Sequence, residues 1–243
     1  MNWREQCAVV IPCFNESLTI HELVSTVRCL VPTVFVIDDG STDATAVLAK
    51  QAGAAVILQS AQRGKGAALM LGFAAARKDG FAYALCMDGD AQHSPADIPA
   101  FFERCEASGA DLVIGNRFPA ARAMPWLRRG VNLFMTRMLS WVAGERLLDT
   151  QCGFRLVKLS LLSAIQTRTT HFEFESELLI EVIRCGGRVE FVPIRTIYRS
   201  ERSKIRPLRD SIRWLRWLAR CITHREGKRL RRARLLIPAR QQL

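Results

Sequence analysis

Two carboxylates two residues apart, Asp88 and Asp90, directly follow the apolar run Phe81 to Met87. At this spacing they offer hard oxygen ligands to Mg²⁺ or Mn²⁺, and Gly89 between them lets the backbone approach closely. Gln92 adds a neutral oxygen two residues on. His93 could join such a shell, although a structural hydrogen bond is the simpler role. A cation held there would neutralise a departing diphosphate. Similar polar ends recur elsewhere. Asn15 and Glu16 follow Ala8 to Ile11, Asp38 and Asp39 follow Val34 to Ile37, and Arg117 follows Asp111 to Gly115. One acidic pair, such as that in Asp38-Asp39-Gly40-Ser41-Thr42, usually only closes a helix-capping turn. Three acidic ends on one edge repel one another unless a cation or a hydrogen-bonding ligand lies among them. Arg63-Gly64-Lys65-Gly66 at a helix start is a candidate anion contact, with an ordinary polar turn as the alternative. Neither GxGxxG after the first strand nor GxxxxGK[ST] occurs, which disfavours a dinucleotide fingerprint and a P-loop.

The elements that must position these groups alternate. Ala8 to Ile11, Val34 to Ile37, Ala55 to Leu58, Phe81 to Met87 and Asp111 to Gly115 read as buried strands. Ile20, Leu23, Val24 and Val27 recur at helical spacing. Ser41 or Thr42 could cap a helix to about Gln51, and further helices are expected over Lys65 to Lys78 and from Pro95 to about Ala107. This rhythm implies a parallel sheet with helices on both faces, whose ligands bind outside the carboxyl ends of the strands. After residue 120 the pattern changes. Residues 124–143 and Glu175 to Cys185 read as helices. Gly187 to Tyr198 reads as a closing strand, with Pro193 marking an edge or bulge.

Of the 243 residues, 49% are hydrophobic, so a sizeable core is available. No run of 18 apolar residues occurs, and no signal-peptide core opens the chain, so a cytoplasmic protein without a transmembrane helix is expected. The net charge of +12 is uneven: residues 201–243 hold fourteen Lys and Arg against three Asp and Glu. A nearly neutral body over 1–200 thus carries a basic C-terminal extension that favours phosphates. The eight cysteines form no CxxC pair and read as reduced core residues.

Taken in order, Ile11-Pro12-Cys13-Phe14-Asn15-Glu16, Val36-Ile37-Asp38-Asp39-Gly40-Ser41-Thr42-Asp43, Arg63-Gly64-Lys65-Gly66 and Met87-Asp88-Gly89-Asp90-Ala91-Gln92-His93 resemble glycosyltransferase family 2. Gly115-Asn116-Arg117-Phe118, Asp149-Thr150-Gln151-Cys152-Gly153-Phe154-Arg155 and Arg202-Ser203-Lys204-Ile205 narrow the resemblance to the dolichyl- and polyprenyl-phosphate mannose or glucose synthase branch. The resemblance implies a GT-A fold, Rossmann-like, and an inverting transfer of a hexose from a nucleotide-sugar (GDP-mannose or UDP-glucose type) to a polyprenyl phosphate. By motif position, Pro12, Phe14, Asn15, Glu16, Asp38, Asp39, Lys65 and Asp88 would bind the donor. Asp88, Asp90 and Gln92 would hold Mg²⁺ or Mn²⁺, making Asp90 catalytic. Arg117, also catalytic, would face the acceptor phosphate, with Arg202 and Lys204 closing over it. Many relatives in this branch carry Asp-Ala-Asp; the middle residue here is Gly89.

A phosphate monoester is largely dianionic at neutral pH and is already a competent nucleophile, so a dedicated base is less necessary than for a hydroxyl. A soluble or saccharide acceptor would instead call for a carboxylate base, with Glu173, Glu175 and Glu177 as candidates; helix-start charges are the alternative for all three. In the expected helix from about 206 to 222, Arg209, Arg213, Arg216 and Arg220 share one stripe, and Trp214, Leu215, Leu218, Cys221 and Ile222 lie roughly opposite. That pattern suits a helix lying on an anionic membrane surface; packing against the domain is the alternative. A non-enzymatic module gripping nucleic acid is disfavoured, because the acidic strand ends would repel phosphates.

Overall fold

A computed structural model describes residues 2–119, 124–197 and 207–235, with side chains described from 209 to 223 in the last segment. Arg202 and Lys204 lie outside the described residues. The chain divides into two units, 1–201 and 202–243.

In the first unit the elements run α1 (Trp3–Gln6), β1 (Cys7–Cys13), α2 (Ile20–Leu30), β2 (Val34–Asp38), α3 (Thr45–Gln51), β3 (Ala55–Leu58), α4 (Lys65–Lys78) and β4 (Tyr83–Cys86). There follow α5 (Ile98–Ser108), β5 (Leu112–Asn116), α6 (Trp126–Ala143), β6 (Arg155–Lys158), α7 (Phe174–Arg184) and β7 (Val189–Pro193). Among the described residues seven strands form one sheet in the order β3-β2-β1-β4-β6-β5-β7. All pairings are parallel except those of β6, which runs antiparallel between β4 and β5. The strand order reverses at β1: β2 and β3 extend to one side, and α4 returns the chain to the other. The crevice of a doubly wound sheet opens at such a reversal.

Pro12 fits this opening. Val10 accepts from the Met87 N–H, so alternate residues of β1 face β4. The β1–β4 ladder covers only Cys7–Val10 with Tyr83–Cys86. The missing N–H of Pro12 therefore falls where the two strands have already parted, and no ladder bond is lost.

The core follows the apolar runs. Ile20, Leu23, Val24 and Val27 are the buried residues of α2, and every residue of β2 and β4 is buried. Two expectations need correction. The α3 helix starts at Thr45, not after Ser41 or Thr42, because the 41–42 turn is bonded to Asn15. The short strand β6 has no turn-bounded apolar run of its own; a buried arginine heads it. The closing strand β7 is shorter than expected and lies at the sheet edge, ending at Pro193.

In the second unit α8 spans Pro207–Leu235, longer than the sequence suggests. Trp214, Trp217, Leu218 and Cys221 are buried, whereas Leu215 is 51% exposed. The two tryptophan rings lie 6.3 Å apart.

Candidate active site

The carboxyl ends of β1, β2 and β4 meet at the reversal, and short bonds fix each loop. After β1, Asn15 adopts a left-handed backbone with φ 53°. Its N–H donates to Ser41 Oγ at 2.9 Å and its Oδ1 accepts from the Thr42 N–H at 2.8 Å. The Glu16 N–H donates to Thr45 Oγ1 at 2.8 Å. After β2, Asp38 accepts from the Ser41 N–H at 2.7 Å. Asp39 holds the loop after β3: it accepts from the Arg63 and Gly64 N–H groups at 2.7 and 2.8 Å and from Gln59 Nε2 at 3.1 Å. The carboxylates of Asp38 and Asp39 are therefore built into the walls of the crevice.

After β4, Gly89 is required by space. A Cβ there would stand 2.8 Å from Cys13 Sγ and 3.0 Å from Glu16 Cγ. The Gly89 carbonyl accepts from Thr19 Oγ1 at 2.6 Å, which binds the β4 turn to the β1 loop. Ala91 takes φ 54°, a conformation that costs an L-residue energy and marks a tightly determined turn. The Asp90 carboxylate accepts from the Gln92 N–H at 3.1 Å.

Lys65, the first residue of α4, places Nζ 2.5 Å from Asp88 Oδ1 and 3.0 Å from Glu175 Oε1. Gly153 makes room for this pair, since a Cβ there would lie 2.8 Å from both Lys65 Nζ and Asp88 Oδ2. Burial alone would raise the Asp88 carboxyl, but Lys65 overrides it and holds the group down at about 2. The same pairing raises Lys65 despite burial. Asp90 is shifted the other way, raised by burial and by the Asp88 charge. Burial lowers His93; its ring stacks on Phe154 with centroids 5.1 Å apart, and Nδ1 accepts from the Asp88 N–H at 3.4 Å. That is the structural role expected of it.

Two carboxylates whose charges oppose each other, with hard oxygens on one turn, suit a divalent cation. No group of three or more His, Cys, Asp or Glu poised for a metal occurs among the described residues. Asp88, Asp90 and Gln92, the ligands expected from the sequence, follow one another on the turn after β4.

After β5, Arg117 is buried and its fork grips Asp149, with Nε to Oδ2 at 2.8 Å and Nη2 to Oδ1 at 2.9 Å. Its charge also helps to depress Asp88. A face of Arg117 turned wholly toward a ligand is therefore not what the sequence position produces; a buried carboxylate orients it. Arg155, 1% exposed, donates to the carbonyls of Cys152, Glu175 and Thr150 at 2.7, 2.5 and 2.8 Å. It ties the segment after α6 to α7. Reasoning from spacing missed Asp149, Gly153, Arg155 and the Glu175–Lys65 pair as site architecture. The run Asp149 to Arg155 was the available signal. Of the candidate bases, Glu175 is paired with Lys65, and Glu177 Oε2 accepts from Arg168 N, Thr169 N and Thr169 Oγ1. Glu173 is buried, with Oε2 lacking a hydrogen-bond partner.

The family model described as Glycosyl transferase family 2 matches residues 8–165. The glycosyltransferase AglJ of Haloferax volcanii is 32% identical over 209 residues, covering 83% of this chain and 67% of that one. The polyprenol monophosphomannose synthase of Mycolicibacterium smegmatis is 28% identical over 204 residues, covering 78% and 77%. Among solved structures, glucosyl-3-phosphoglycerate synthase of Mycobacterium tuberculosis, in complex with Mn²⁺, UDP-glucose and phosphoglyceric acid, superposes with a TM-score of 0.74. It covers 92% of this chain and 80% of that one at 23% identity, a likeness of fold.

Proposed function

The chain belongs to glycosyl transferase family 2, and from that premise we propose that it transfers a hexose from a nucleotide-sugar to the phosphate of a polyprenyl phosphate, with inversion at the sugar. The observation that carries the reading is the single cluster at the strand reversal, where Asp88, Asp90, Lys65 and the Asp149-held Arg117 come together. Relatives named as polyprenol monophosphomannose synthase and undecaprenyl-phosphate mannosyltransferase support the lipid phosphate as acceptor.

In this reading each residue has a role. Pro12, Phe14, Asn15, Glu16, Asp38 and Asp39 line the β1–β2 side, where a nucleoside would lie against walls already held by backbone N–H groups. Asp88 and Asp90, with Gln92, would hold Mg²⁺ or Mn²⁺, which when bound supplies positive charge to the diphosphate leaving group. Lys65 stands beside Asp88 and is placed to follow the same negative charge. Arg117, aligned by Asp149, would orient the acceptor phosphate by charge-assisted hydrogen bonds. Arg202 and Lys204 are proposed to assist it. Glu175 and Glu177 are engaged in structure, which leaves Glu173 as the candidate base that a neutral acceptor would need; an acceptor that brings its own negative charge needs none. No helix among the described residues is long and apolar enough to cross a membrane, so such an acceptor would be met at a membrane surface, on the cytoplasmic face in this reading.

The test is a panel of GDP- and UDP-sugars incubated with the purified protein, a short-chain polyprenyl phosphate and Mg²⁺ or Mn²⁺. One donor class should yield a lipid-phosphate-linked sugar and lose that activity in chelator. Absence of lipid product from every donor would contradict the proposal.

A further inference from the structure

Two carboxylates share the Lys65 ammonium. Nζ lies 2.5 Å from Asp88 Oδ1, 3.0 Å from Glu175 Oε1 and 5.9 Å from the centre of the Phe172 ring. Glu175 Oε1 is buried and makes no hydrogen bond beside this ionic contact. The backbone under the lysine is fixed. A Cβ at Gly66 would stand 2.5 Å from Phe174 Cβ, and the Ala67 N–H donates to the Thr170 carbonyl at 3.1 Å. The first turn of α4 is thus wedged against the start of α7. What can move is the four-carbon stem of Lys65, with three donors on a rotatable head. Its two partners differ in access: the Asp88 side chain is 28% exposed, that of Glu175 10%.

The same Asp88 is expected to ligate a divalent cation, and two cations on one carboxylate repel strongly even in a well-screened protein environment. The ammonium must therefore leave Asp88 when a divalent ion binds there. A buried lysine with one partner could not leave without stranding its charge. Lys65 can, because Glu175 still holds it. We propose that Lys65 competes with the divalent cation for Asp88 and gives way when a nucleoside diphosphate draws its ammonium off, with Glu175 as the pivot. Cation and donor then bind as a pair, each raising the affinity of the other by the same factor. When the diphosphate leaves, the ammonium returns to Asp88 and loosens the hold on the cation. The inference rests on the reading of Asp88 as a metal ligand and adds the group that couples metal to donor.

The test reads the lysine itself. Full-length protein carrying isotope-labelled lysine is followed by NMR of its side-chain ammonium groups, and the Lys65 signal is identified by its loss in Lys65→Arg. Mg²⁺ alone, brought to saturation as judged by calorimetry, should shift that signal as the ammonium leaves Asp88. One of GDP and UDP, added without metal, should shift it as well. Binding of Mn²⁺ alone is measured from the loss of the free-ion electron spin resonance. Lys65→Met should bind it at least about tenfold more tightly than the wild type, because the competitor is gone. A lysine that merely held the site together would give the opposite sign. Should Lys65→Met fail to fold, the Lys65 signal of the wild-type protein decides. A folded Lys65→Met variant that binds Mn²⁺ no more tightly than the wild type would overturn the inference. So would a Lys65 signal unmoved by bound Mg²⁺, or unmoved by both nucleotides; the metal reading would then stand. No binding of Mg²⁺ or Mn²⁺, with or without GDP or UDP, would overturn both.

Discussion

The two halves of the sheet handle charge in different ways. On the β1–β2–β3 side, carboxylates are satisfied by backbone N–H groups supplied by nearby turns: Asp38 by Ser41, and Asp39 by Arg63 and Gly64. On the β4–β6–β5 side, cations and carboxylates far apart in sequence neutralise one another: Lys65 with Asp88 and Glu175, and Arg117 with Asp149. The first half is a preformed wall. The second is a balance of buried charge that depends on α4, α7 and the segment after α6 being correctly placed. Backbone donors come with the fold, but side-chain cations must be recruited, and their removal leaves the partner uncompensated.

Substitutions in the second half should separate chemistry from stability. Asp90→Asn should lower turnover by on the order of a thousandfold, since the charge offered to a diphosphate-bound cation is worth several kcal/mol. It should not lower the melting temperature, because it relieves the repulsion from Asp88. Steady-state kinetics beside a thermal melt checks both; a variant that melts early would mean that Asp90 is structural. Asp149→Asn should cost about 3–5 kcal/mol of stability by stranding buried Arg117. Denaturant unfolding measures this, and a cost within error would show that the pair is not a structural element. Gly153→Ala should cost about 1–3 kcal/mol, because its methyl meets both members of the Lys65–Asp88 pair. An unchanged denaturant midpoint would show that the pair yields without penalty. Trp126→Ser should change stability by less than about 0.5 kcal/mol, as its ring is mostly exposed. A larger loss would show that the ring packs on the protein.

The same contrast explains what could be read from sequence. The β1–β4 strands and α2 and α4 were legible because apolar periodicity is local, and the acidic strand ends were legible because each follows such a run. Ser41 and Thr42 were misread as helix caps, since their partner Asn15 lies a loop away. The antiparallel β6 was missed because fully buried Arg155 heads a strand of only four residues, Arg155–Lys158. The place of Arg117 after β5 is legible, but its clamp Asp149 lies 32 residues on, and nothing local signals the pairing. Burial of Trp214 in α8 and exposure of Trp126 in α6 have the same composition behind them, and only the packed structure separates the two.

The central claim is that a lipid-borne phosphate is the nucleophile. It is tested by presenting polyprenyl phosphate, the corresponding polyprenol and a free saccharide side by side with the donor that the protein uses. Phosphorus NMR of the product should show the monoester of polyprenyl phosphate converted to a sugar-linked diester, with the polyprenol and the saccharide left untouched. Glycosylation of the polyprenol or the saccharide at a comparable rate, with the phosphate monoester unchanged, would contradict the account.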